Sequence, residues 1–139
     1  MDFKRFGSKI VMRLDKGEEI VKTVKEFCGK NGIKLASVSA IGAVNKVDVG
    51  IFIQDTKEYH SKEFTGSMEI VSLLGNISQK QGEVYAHFHI NLIDTFYGAF
   101  GGHLNEAWVG ATCELVFDVI EGEVERKFNE AVGLNLFKF

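Results

Sequence analysis

Hydrophobic and polar residues alternate with period two along most of the chain. Residues 8–14 read as a first strand in this way. Asp15-Lys16-Gly17-Glu18 then has the order of a capping box, directly before Ile20, Val24, Phe27 and Cys28 at helical spacing. That pattern predicts an amphipathic helix ended by Asn31-Gly32. Strands are expected at 33–42, 45–54, 58–66, 68–78, 84–93 and 108–120, with a closing pair near 123–128 and 133–138, separated by Gly, Asn and Asp turn signals. One helix among many consecutive strands predicts an α+β fold with a mostly antiparallel sheet. The helix covers one face, leaving the other to solvent or to a partner.

The stretch 83–108 adds chemistry to this pattern. Val84, Ala86, Phe88, Ile90 and Leu92 fall on one strand face, and Glu83, Tyr85, His87, His89 and Asn91 on the other. Two residues apart on a strand, His87 and His89 have Cα atoms about 6.5–7 Å apart, from which both imidazoles can lean onto one ion. A Gly- and aromatic-rich loop, Thr95 to Glu106, follows. A hairpin return through it brings His103 back beside the pair, and Gly101-Gly102 is expected to supply backbone conformations closed to other residues.

Composition narrows the class. A chain of 139 residues, 45% hydrophobic with twelve Phe, suits a single domain over 1–139 with its own core. The formal charge of −3 disfavours a basic protein that coats nucleic acid. Proline is absent where average usage of ~5% predicts roughly seven, so the 15 Gly must do the turning. Cys28 and Cys113 lack metal-pair spacing and read as small buried hydrophobes. No apolar signal core follows the N-terminus and no run reaches the ~18 apolar residues of a membrane span, so a cytoplasmic protein without membrane contact is expected.

Three of the four histidines, His87, His89 and His103, lie within seventeen positions. A three-His set with a free fourth position is the plan of a catalytic zinc site. On spacing alone a second reading stays open, in which His87 and His89 decorate a wet face and His103 caps a turn. His60, in a polar strand, is expected to be exposed. A cupin also carries His-x-His on a strand, but its second motif needs a Pro that this chain lacks.

The succession of Arg13-Leu14-Asp15-Lys16-Gly17-Glu18, Ala36 to Val44, Met68 to Ile77, His87-Phe88-His89-Ile90-Asn91-Leu92 and Gly101-Gly102-His103-Leu104 resembles the plants and prokaryotes conserved (PPC) domain over nearly the whole chain. The resemblance implies an antiparallel α+β fold, a homotrimer and a DNA-binding label drawn largely from plant members with separate AT-hooks. No Arg-Gly-Arg hook core occurs here, since the arginines are Arg5, Arg13 and Arg126, and Glu114, Asp118, Glu121, Glu123 and Glu125 would repel phosphates. DNA contact is therefore expected to be weak or to come through a partner protein.

The same resemblance favours one divalent ion, zinc, on His87, His89 and His103. It offers Glu69 as a general base or outer acceptor near them, against a plain cross-strand ion pair. Arg13 is either a carboxylate holder in a subunit contact or an exposed strand residue, and Phe96, Tyr97 and Phe100 either a ligand lid or interface residues. Two function classes follow: a trimeric regulatory assembly module, or a small metal-dependent enzyme or small-ligand-binding protein acting through the three histidines.

Overall fold

In the computed structural model, which describes residues 1–139, alternation becomes strand over longer stretches than the turn signals suggest. The order is β1 (Asp2–Phe6), β2 (Lys9–Asp15), α1 (Ile20–Lys30), β3 (Ala36–Ile53), β4 (Glu58–Lys80), β5 (Glu83–Asp94), β6 (Ala99–Val119), β7 (Glu125–Asn129) and β8 (Leu134–Lys138). The fold is α+β, with one helix and a sheet that is antiparallel except for a single bridge, Gln79 with Glu125. No helix is long and apolar enough to cross a membrane.

Helix α1 buries Ile20, Val24, Phe27 and Cys28, the predicted stripe. Its cap differs from the expected one. Glu18 accepts a hydrogen bond from the Asp15 amide at 2.7 Å, but Glu19 is the N-cap, accepting from the amides of Val21 and Lys22 and, across the fold, of Ala107 at 2.9 Å. One carboxylate thus both starts the helix and ties it to β6. At the other end the Asn31 side chain donates to the Phe27 carbonyl.

The strands expected at 33–42 and 45–54 are one strand, as are those at 58–66 and 68–78. Pairing of β3 shifts register between Ala40 and Gly42 and between Val44 and Lys46, so residues that read as turn signals are bulges that bend a continuous strand. A Cβ on Gly42 would lie 2.3 Å from the Thr112 carbonyl oxygen, which only glycine permits. Strand β1 was not expected: all five of its residues are exposed, so it shows no alternation. Of the loop expected from Thr95 to Glu106, the part from Ala99 onward is the start of β6.

Bending closes a ring, in which β3 pairs with β4, β4 with β5, β5 with β6 and β6 with β3. One contiguous cluster fills the side facing α1, including Leu14, Ile20, Leu73, Phe88, Leu115 and Phe117. Cys28 and Cys113 lie in it as free thiols, and burial pushes both up to about 12. The opposite face holds a cross-strand row: Val11 pairs with Val116, Val116 with Ser39, Ser39 with Leu74, and Leu74 with His89. Val11, Val116 and Leu74 are exposed there, as is Ile41.

Candidate metal centre

Strand β5 presents His87 and His89 on the face away from the core, because Phe88 and Ile90 between and beyond them are buried. The chain turns at Thr95–Gly98, where the Asp94 carboxylate accepts from the amides of Phe96 and Gly98, and returns as β6. His103 then becomes the direct register partner of His89. The hairpin return therefore brings three imidazoles together, as the sequence indicated, and their ligating nitrogens lie within 4.8 Å of one another. Ring centroids are 5.2–5.7 Å apart.

The glycines act differently from expectation. Neither Gly101 nor Gly102 has positive φ; the residue in the left-handed region is Tyr97, at φ 62°. Both glycines instead permit close approach. A Cβ on Gly101 would lie 2.1 Å from the Ile90 carbonyl oxygen, and one on Gly102 2.6 Å from that of Gly50. The lack of side chains lets β5, β6 and β3 converge beside the histidines.

Burial sets the protonation of the set. His87 and His103 are half-buried and His89 is exposed. Loss of water, then the neighbouring His103, Arg126 and His89, pushes His87 down to about 4. Burial, with His89 nearby, also lowers His103. At neutral pH these two rings therefore offer lone pairs rather than charge.

Two partners around the histidines carried no sequence signal. Tyr59 stands edge-on to His103 with ring centroids 6.0 Å apart, and its hydroxyl donates to Asn105 Oδ1 at 2.7 Å. The Asn105 amide in turn donates to Asp48. Arg126, read from sequence only as one of three scattered arginines, is 7% exposed. It donates to the Ser78 hydroxyl, to the Asn135 carbonyl and to Asn76 Oδ1, and Asn76 is the register partner of His87. Its burial depends on where the β7–β8 hairpin docks, a relation with no local pattern.

A cavity of about 850 Å³ opens over the three histidines. Tyr59, Tyr85 and Arg126 line it with them, and the β7–β8 hairpin adds an apolar wall of Val132, Leu134 and Leu136.

Other expected residues fall elsewhere. Glu69 is exposed and borders a different cavity with Lys16, Asn45 and Asp94, so it is not near the histidines: it pairs with Ala43 and Ile93, five residues along β4 from the partner of His89. Arg13 is exposed, with Nε 3.1 Å from Asp15. His60 is exposed, as expected. Phe96 and Tyr97 are 90% and 85% exposed, whereas Phe100 packs on Phe64.

Comparison with known proteins adds lineage to this geometry. The model of the Plants and Prokaryotes Conserved (PCC) domain matches residues 1–121. Among solved structures, the "putative dna binding protein" of Bacteroides thetaiotaomicron superposes with a TM-score of 0.96 at 35% identity, covering 99% of this chain and 96% of its own. A metal-containing protein of Archaeoglobus fulgidus is 37% identical with a TM-score of 0.88, covering 100% and 99%. The plant- and prokaryote-conserved protein of Pyrococcus horikoshii is 33% identical with a TM-score of 0.86, covering 99% and 94%. No curated protein matches the sequence.

Proposed function

The chain belongs to the Plants and Prokaryotes Conserved domain family, and from that premise we propose that it is a self-assembling module whose His87, His89 and His103 hold one divalent ion, zinc in the first instance. The observation that carries the reading is the convergence of three imidazoles from two strands on one point, with ligating nitrogens within 4.8 Å. Nitrogens on a tetrahedral zinc about 2.0–2.1 Å away stand about 3.4 Å apart, so modest ring rotation closes the set. Neutral imidazole is the form that ligates, and burial keeps His87 and His103 neutral at pH 7. A relative of 37% identity is called metal-containing.

Bound there, the ion would supply a Lewis acid with one position open to the cavity. The residues around it support binding before chemistry. Tyr59, held by Asn105, packs against His103 and fixes that ring. The β7–β8 hairpin gives one side of the cavity an apolar wall. Metal-dependent recognition of a small ligand is accordingly the function assigned to the site, with catalysis as the alternative use of the same open position.

The exposed apolar row of Val11, Val116 and Leu74 supports assembly, because further copies of the chain would cover it. A trimer is the form proposed. Contact with DNA is assigned to a partner protein: the net charge is −3, and Arg126 is buried rather than offered to phosphates. Elemental analysis of protein purified without a histidine tag tests the central claim, with one equivalent of metal per chain expected and a stoichiometry near zero after incubation with zinc refuting it.

A further inference from the structure

The cavity over the histidines carries positive charge and nothing to balance it. None of its 18 lining residues is Asp or Glu, yet Arg126 is among them. The partners of Arg126 are a hydroxyl, a backbone carbonyl and a side-chain amide oxygen, all neutral. Tyr85 and Phe137 cover the guanidinium, with ring centroids 4.8 Å and 4.2 Å from its central carbon. These bonds use three of its five N–H groups, which leaves two without a partner. A buried cation with only neutral partners is costly to keep. It becomes understandable where an anion arrives as ligand.

Its position fits that role. Arg126 holds Asn76, directly across the β4–β5 ladder from His87, so the guanidinium stands beside the three-His set in the same cavity. Much of the remaining wall is apolar, with Val132, Leu134 and Leu136 on the hairpin and Ile51 and Phe52 on β3, while Gln54 and Asn135 add only neutral polar groups. The volume of about 850 Å³ suits a small molecule. A guanidinium beside a metal centre holds a carboxylate or a phosphate alike, and the apolar wall of Val132, Leu134 and Leu136 is what favours an acid with a hydrocarbon body.

We infer that the cavity binds a small monocarboxylic acid, its carboxylate between Arg126 and the three-His centre and its apolar body along Val132, Leu134 and Leu136. The inference rests on the metal reading for one of the two groups that hold the carboxylate, and on Arg126 alone for the other.

Calorimetry on the zinc-loaded full chain tests it, with hexanoate, acetate, hexanol and inorganic phosphate as probes. Hexanoate should bind at least about tenfold more tightly than each of the other three, because only it satisfies both the cation and the wall. Val132 is 41% exposed, so Val132→Asp should fold; it should weaken hexanoate at least about tenfold while zinc content stays the same. Equal affinity for hexanoate and hexanol, equal affinity for hexanoate and phosphate, or an unchanged Val132→Asp variant overturns the inference. If zinc fails to bind but hexanoate still does, the three-His reading falls and the carboxylate site stands on Arg126.

Discussion

His89 and His103 face each other as register partners across the β5–β6 ladder, so two of the three imidazoles come from different strands and are aligned by backbone pairing rather than by a loop. A site built this way is preorganised to the extent that the ladder is.

Replacement of single histidines should separate shared ligation from decoration. His89→Ala removes an exposed ring from a core that does not include it, so the variant should melt close to wild type in the absence of metal. Its zinc affinity should nevertheless fall by more than about 100-fold, since even outer partners of a metal ligand cost 10–100-fold. His103→Ala should do the same. Competition with a chromogenic chelator measures both, and equal metal content in variant and wild type would rule out shared ligation.

The metal-free protein should lose stability as pH falls from about 6.5 to about 4. His87 is held down to about 4 in the folded chain, mainly by burial. Between that value and the unfolded one the unfolded chain binds the extra proton, so stability rises with pH across this window and is fully present above it. Urea midpoints measured from pH 4 to pH 7 should show the slope, and His87→Gln should reduce it, leaving the part that His103 contributes.

Gly101→Val should be more damaging than its place at an exposed hairpin suggests. The added side chain would begin 2.1 Å from the Ile90 carbonyl oxygen and force β5 and β6 apart. Overpacking of this kind costs about 1–3 kcal/mol. Zinc affinity should fall with the melting temperature, because the displaced ladder is the one that aligns His89 and His103. A stable variant with full affinity would mean that close approach is not what the glycine provides.

Light scattering should give a mass near three times the 15.5 kDa of one chain. Leu74→Glu places a charge on the exposed row beside His89 and should shift the protein toward single chains without unfolding it. A wild-type monomer at every concentration tested contradicts the assembly proposal.

Duplex DNA should bind weakly to the isolated chain, with retention that disappears as salt rises toward physiological levels. Mobility shifts at two salt concentrations suffice. A footprinted site held with nanomolar affinity at physiological salt would show that the chain recognises DNA by itself.

What could be read from sequence follows the range of the interaction that carries it. The shared face of His87 and His89 is a local consequence of strand period two and was legible. So was the helix stripe. His103 was placed beside them by the hairpin, although the role of Gly101 and Gly102 is close packing rather than unusual backbone angles. Strand β1 was hidden because Asp2 to Phe6 are all exposed. The lengths of β3 and β4 were hidden because a bulge and a turn call for the same residues. Arg126 was illegible for a different reason: its partners Ser78 and Asn76 lie 48 and 50 positions away, and nothing within β7 reports that distance.

The ring of strands has one weak seam. Its β5–β6 ladder has five register pairs and is the shortest of the four that close the ring. An ion shared by His87, His89 and His103 would fasten that seam like a clasp, so metal release and seam breathing become one event. Amide exchange in Gly101 to His103 would then act as a clock for occupancy, slow in the loaded protein and fast once the clasp is undone.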